Sequence, residues 1–128
     1  MKTVPDGRYK GGVHQKVPEY ADQIYPGSSF QLADAEWKIA KASGQNNILD
    51  MAQGHYRFAL SPINSTSGSG CWVNNSSVDR VPGGFFDWVN MKNDSYPANN
   101  WERFVDTSAY MIIATEELVF NSAVTWTD

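Results

Sequence analysis

The distribution of proline and glycine divides this chain into two parts that differ in their capacity to build a core. Residues 1–30 are interrupted repeatedly by proline and glycine and show no sustained apolar period. From Trp37 onward, short aromatic and β-branched runs alternate with clusters of Asn, Ser and Gly. A segment that cannot bury its own surface either stays disordered or lies on another surface. The pattern therefore predicts an extended N-terminal arm over residues 1–30 and a folded domain over residues 31–128.

The apolar runs of the second part are short and favour strands. In the clearest run, Tyr56, Phe58 and Leu60 alternate with His55 and Arg57, which is the period of a half-buried strand. Glycine, proline and asparagine clusters separate the other runs, as turn residues do in β proteins. These runs are Cys71–Val73, Phe85–Val89, Ala109–Ala114, Leu118–Phe120 and Ala123–Trp126.

Residues 32–42 are compatible with two secondary structures. Asp34 and Lys38 are four residues apart and Gly44 follows like a C-terminal cap, which indicates a helix. Trp37 and Ile39 also alternate with charged residues, and we favour a strand that turns back through residues 43–47. The fold class predicted for the whole chain is mainly β: a small β-sandwich or barrel of short antiparallel strands with an extended N-terminal arm.

Composition and charge exclude several classes of function. The formal net charge is −4, and a nucleic-acid-binding face needs clustered Lys and Arg, so no nucleic-acid partner is expected. Residues 1–10 contain no apolar signal-peptide core, and the longest apolar run, residues 109–114, is too short to cross a membrane. The single cysteine, Cys71, cannot form an internal disulfide. We expect no membrane association.

The chemistry-bearing residues do not form a recognisable catalytic or metal-binding motif. His14 and His55 have no neighbouring His or Cys at metal-ligand spacing. The serines lack the G-x-S-x-G pattern of a nucleophile elbow. The sequence therefore predicts no enzyme activity, no metal and no cofactor.

Tryptophans and asparagines lie close together at three places in the sequence, and this pattern suggests one alternative function. Exposed indoles that stack on a sugar, with amides that bind its hydroxyl groups, would make a carbohydrate- or receptor-binding β-sandwich module. The residues of this alternative ligand site are Trp72, Asn74, Trp88, Asn90 and Trp101.

Our leading interpretation is a structural, non-enzymatic accessory subunit of a larger assembly. The N-terminal arm would dock on protein subunits of the same assembly, in a homo-oligomer or on a capsid-like lattice. Its docking residues would be Tyr9, Val13, Val17, Tyr20, Ile24 and Tyr25. A small acidic β domain with an extended arm resembles bacteriophage capsid decoration proteins in architecture. That resemblance implies a location in the virion, or in the cytoplasm during assembly.

Overall fold

A computed structural model describes residues 2–7, 9–14, 22–60, 72–73, 84–85, 88–92 and 104–121. Three α-helices dominate this part of the chain, and a π-helix follows the last of them. They are α1 (Pro26–Ser43), α2 (Asn46–Leu60), α3 (Phe104–Thr115) and the π-helix Glu116–Asn121. Six strands of two residues each accompany the helices. They are β1 (Lys2–Thr3), β2 (Val13–His14), β3 (Gln23–Ile24), β4 (Trp72–Val73), β5 (Gly84–Phe85) and β6 (Val89–Asn90).

The strands form two small antiparallel sheets. Four strands pair in the order β1-β2-β3-β6, and β4 pairs separately with β5. Ile24 is central in the larger sheet, because it lies opposite His14 on one side and Val89 on the other. The backbone N–H of Met91 extends the last pairing by donating to the carbonyl of Asp22 at 2.7 Å. The sheet thus joins the N-terminal residues to a segment that follows the first two helices.

The mainly β prediction is wrong, and residues 32–42 show why. They lie inside α1, which begins with Pro26 at a position that proline favours and ends at Gly44, whose φ is +70°. The Gly44 N–H donates to the Ala40 carbonyl at 2.8 Å. The apparent alternation is misleading, because Glu36 is buried whereas Ile39 is 52% exposed. The expected hairpin loop is the connection between α1 and α2.

The runs at 55–60 and 109–114 are also helical rather than extended. In α2 the buried residues are Ala52, His55, Phe58 and Ala59, a spacing of three and four that marks one helical face. The sequence correctly predicts Phe58 as buried and Arg57 as exposed, but His55 is buried where we expected it to face solvent. A short apolar run fits a strand and a buried helix equally well, so its length could not decide between them.

The N-terminal residues contribute to the core. Tyr9 and Ile24 join Phe30, Phe58 and Val89 in one buried cluster between the sheet and the helices. The resemblance to capsid decoration proteins requires a β-sandwich with an extended arm, and the helical fold overturns it. The described residues give no support for a place in a virion.

Specific contacts fix how the three helices pack. The rings of Phe30 in α1 and Tyr56 in α2 meet edge to face, with centroids 5.9 Å apart and planes at 65°. The Tyr56 hydroxyl lies 2.8 Å from Thr115 Oγ1 and so joins α2 to α3. Near the start of α1, Gly27 leaves little space beside Thr107, whose Oγ1 would lie 3.3 Å from an added Cβ. The helices therefore form a bundle whose packing faces are specified by side-chain shape.

Candidate functional site

The turn between β1 and β2 lies directly against α2, and Gly11 makes this approach possible. Gly11 has φ +89°, and a Cβ added there would lie 2.5 Å from the carbonyl oxygen of Gly54. The turn is held by its own backbone, since Val4 donates to Gly12 at 2.9 Å and Gly11 donates to Val4 at 3.0 Å. Glycine is needed at position 11 for both conformation and space.

This close approach places the Gly11 carbonyl on a buried histidine. His55 is 1% exposed, and its Nδ1 lies 2.6 Å from the Gly11 oxygen. Because a carbonyl can only accept a hydrogen bond, Nδ1 must carry the hydrogen. The other ring nitrogen, Nε2, then carries a lone pair when the imidazole is neutral and a second hydrogen when it is charged.

A buried carboxyl group faces that second nitrogen. Glu36 of α1 is 8% exposed, and its Oε2 lies 3.5 Å from His55 Nε2. The distance is long for a hydrogen bond, and Oε2 accepts none from the described residues. A carboxylate opposite a lone pair is repulsive. The pair brings α1, α2 and the β1–β2 turn together.

Burial raises the proton affinity of Glu36. Loss of solvation raises the pKa of Glu36 above its usual value of 4.5, and the attraction to His55 offsets part of this rise. A raised pKa means that the folded state binds more protons than the unfolded state at pH values above 4.5. The contribution of Glu36 to stability is therefore greatest at low pH and is lost as the pH rises through its folded pKa.

We expect Glu36→Gln to remove this pH dependence. The glutamine amide has nearly the same shape and can donate a hydrogen to His55 Nε2 without any proton uptake. Chemical denaturation from about pH 5 to pH 8 should show a smaller fall in the free energy of unfolding for the variant than for the wild type. Glu116→Gln, at an exposed glutamate, is the matched control and should retain the wild-type slope. Equal slopes in the wild type and Glu36→Gln would contradict the assignment.

A pocket of about 300 Å³ adjoins this pair on the side of the β1–β2 turn. Lys10 and Asp50 bring opposite charges to it, and Met51 provides an apolar wall that is 50% exposed. Its volume is at the lower limit for small-molecule sites. Within the described ranges, no group of three or more His, Cys, Asp or Glu side chains is arranged to hold a metal ion. With Nδ1 bound to Gly11, the histidine acts as a structural tie between the turn and the helices.

Four of the six large apolar side chains that are exposed among the described residues lie on α3 and the π-helix. We call this surface the outer face and define it as Ala109, Ile112, Ile113, Glu116, Val119 and Phe120, all of which are exposed. The exposed fractions of Ile112 and Phe120 are 62% and 58%, and those of Ile113 and Val119 are 44% and 43%. Within α3, Ala109, Ile112 and Ile113 share one side of the helix, because they are three and four residues apart. The outer face thus combines large exposed apolar groups of α3 and of the π-helix with one carboxylate among them.

The structure places the predicted arm-docking residues within the protein itself. Tyr9, Val13 and Ile24 are buried, with exposed fractions of 7%, 1% and 0%. Tyr25 is partly buried and donates its hydroxyl hydrogen to Gln23 Oε1 at 2.7 Å. The remaining two, Val17 and Tyr20, lie outside the described residues. Any partner surface must therefore be sought away from Tyr9, Val13 and Ile24.

The residues of the alternative ligand site are only partly described. Trp72 lies in β4, and Trp88 is half-buried directly before β6. Asn90 of β6 accepts the backbone N–H of Lys92 on its Oδ1 at 2.9 Å, so this amide oxygen already stabilises a turn. Asn74 and Trp101 lie outside the described residues. The alternative ligand site therefore stays a prediction.

Sequence reasoning missed the residues that the structure singles out. Glu36 and His55 meet only because α1 and α2 pack together, and no local pattern connects them. Part of the outer face had a readable signal, since Ala109, Ile112 and Ile113 are three and four residues apart, as on one side of an α-helix. Interpreting 109–114 as a strand concealed it.

Comparisons with protein-family models, curated proteins and solved structures find no match to this chain. Among the residues that the structure describes, no helix has the length and apolar character required to cross a membrane.

Proposed function

We propose that this chain is a non-enzymatic accessory subunit that binds another protein of its assembly through the outer face. The observation that carries the proposal is the exposure of four large apolar side chains, Ile112, Ile113, Val119 and Phe120, on consecutive helical turns. Contiguous exposed apolar surface of this kind is typical of protein–protein contact sites. The scaffold behind it is rigid, because α3 packs on α1 and is tied to α2 through Thr115.

The π-helix adds a second reason to favour this surface. Helices with π geometry are rare and occur often at functional sites, because their wider turns redirect side chains. Here the change from α to π geometry falls between Thr115 and Glu116, in the middle of the outer face. It affects the direction in which Val119 and Phe120 are presented. None of the six residues of the π-helix is buried.

The charge of this region favours a protein partner over a lipid surface. Helices that lie on membranes usually combine an apolar face with many Lys and Arg residues. The outer face carries Glu116, Glu117 follows it directly, and the net charge of the chain is −4. An anionic membrane would repel such a helix.

The energetics are compatible with a specific contact of moderate strength. Each of the four apolar side chains is about half exposed, so its burial by a partner contributes roughly 1 kcal/mol. Four such contributions are comparable to the lower estimates of the cost of association. The interface must therefore extend to neighbouring polar contacts before binding becomes tight.

Site-specific photo-crosslinking tests this proposal, because it captures a bound protein of any identity. The full chain with a benzoyl-phenylalanine at position 113 or 120 is expressed in the organism that encodes it. The probe should crosslink the chain to one protein, and the product should contain the two proteins in a fixed ratio. The same probe at Gln31, an exposed position on α1, is the control. The proposal is supported if crosslinks form from the outer face and not from position 31. It fails if the outer face yields no discrete product, or if both positions yield the same ones.

A further inference from the structure

We infer that the outer face binds an amphipathic α-helix of a different protein, and that this helix places a Lys or Arg opposite Glu116. The inference rests on the proposed function and identifies the kind of partner that fits the surface. It depends on the helical form of the outer face, on the position of Glu116 among the apolar side chains, and on the pairing with a second copy of this chain that this position disfavours.

The helical form of the outer face matches a helical partner. Ile112 and Ile113 lie at the end of α3, and Val119 and Phe120 lie on the π-helix that continues it. When two helices pack side by side, the side chains on one face insert between those of the neighbour. An added β-strand would instead need an unpaired sheet edge, which a helix face does not offer.

Glu116 lies at the centre of the outer face. It is four residues after Ile112 and four residues before Phe120, and it is exposed. Among the described residues it has no ion-pair partner, and the Lys38 ammonium of α1 binds Asp34 at 2.8 Å instead. A partner that covers the apolar residues also removes water from this carboxylate. Burial of an unpaired charge is strongly unfavourable, so a suitable partner supplies a cation at this level.

The same central position disfavours a second copy of this chain as the partner. A symmetric antiparallel pair that overlaps all four apolar residues would cross at Glu116, because it is midway between Ile112 and Phe120. A parallel pair in register would also place the two Glu116 side chains at the same level. Either arrangement brings two carboxylates together in a site from which water is excluded, and like charges in such a position are repulsive. A basic partner helix resolves this conflict, whereas a second copy creates it.

Designed peptides with a single charge difference test the inference. The probes are two three-heptad helical peptides with leucine at the seam positions, one with a central Lys and one with a central Glu. Fluorescence anisotropy with the full chain should show at least about tenfold tighter binding of the Lys peptide. The charge-swap variant Glu116→Lys should reverse the preference. High salt should reduce the preference of the wild type.

Two further measurements complete the test. Ile113→Ser with Phe120→Ser should abolish binding of both peptides while the thermal melt remains cooperative, because both side chains are exposed. Sedimentation equilibrium should find the wild type monomeric. Equal affinity for the two peptides, a preference that Glu116→Lys leaves unchanged, or a wild-type dimer through this face would each overturn the inference. The two peptide outcomes would leave a crosslink from position 113 to a different protein unaffected. Failure of this inference can therefore be distinguished from failure of the proposed function.

Discussion

Replacement of Phe30 by alanine should cost about 3–5 kcal/mol of the free energy of unfolding. Phe30 is fully buried, belongs to the central apolar cluster and packs edge to face on Tyr56. Its loss removes a large side chain from between α1 and α2 and leaves a cavity that the packed helices cannot close completely.

Urea denaturation with a two-state fit measures this effect directly. Gln31→Ala is the control, because Gln31 is the adjacent and exposed residue of the same helix, and it should change the free energy of unfolding by less than about 0.5 kcal/mol. Similar losses for both variants would mean that Phe30 is not a core residue and that the packing of α1 on α2 differs from the one described.

Replacement of Gly11 by alanine should lower the free energy of unfolding nearly as much. The causes are backbone strain and steric overlap rather than a loss of apolar contacts. The positive φ of Gly11 alone costs a larger residue about 1–2 kcal/mol. The new Cβ would also lie 2.5 Å from the Gly54 oxygen and 3.2 Å from the Cβ of Phe58, neither of which can rotate away. Relief requires the β1–β2 turn to move off α2, which stretches the hydrogen bond to His55. Together these effects should amount to about 2–5 kcal/mol.

Gly7→Ala separates the cost of the positive φ from the cost of the steric overlap. Gly7 also has a positive φ, +76°, but an added Cβ there would meet nothing within 4 Å. This control should show only the backbone cost, about 1 kcal/mol. We expect Gly11→Ala to be clearly the less stable of the two in urea denaturation. If both variants lose the same free energy of unfolding, the turn does not pack against Gly54 as closely as described.

The sequence allows burial at individual positions to be predicted better than secondary structure. It predicts Phe58 inside and Arg57 outside, and both predictions are correct, because a strand and a helix can each place adjacent residues on opposite sides. Gly44 and the Asp34–Lys38 pair are valid helix signals within α1. A chance alternation of apolar and charged residues in the same segment favours a strand, and it leads to the wrong prediction despite these helix signals. The burial of Glu36, which breaks that alternation, follows only from contact with His55.

The roles of the N-terminal glycines cannot be predicted from local pattern at all. In the sequence alone, Gly11 resembles any other glycine that interrupts an extended arm. The need for glycine at position 11 becomes clear only from the structure, in which Gly54, far along the chain, lies against it. The same is true of the pair formed by Glu36 and His55, since both residues resemble ordinary solvent-facing groups. Contacts of this kind depend on how helices pack against each other, and this packing cannot be predicted from short stretches of sequence.

The order of strands in the larger sheet has a consequence for the way in which this protein reaches its native state. Helices α1 and α2 are joined by Gly44–Gln45 and can form as a local hairpin, on the timescale of fast helical folding. The pairing of β3 with β6 joins Ile24 to Val89 and closes a loop of roughly 65 residues. Such a closure is entropically costly and comes late. Val89 therefore completes the sheet late. The amide of Met91, which donates to Asp22 beside this pairing, should exchange through local opening, whereas amides in the middle of α1 and α2 should exchange only on global unfolding.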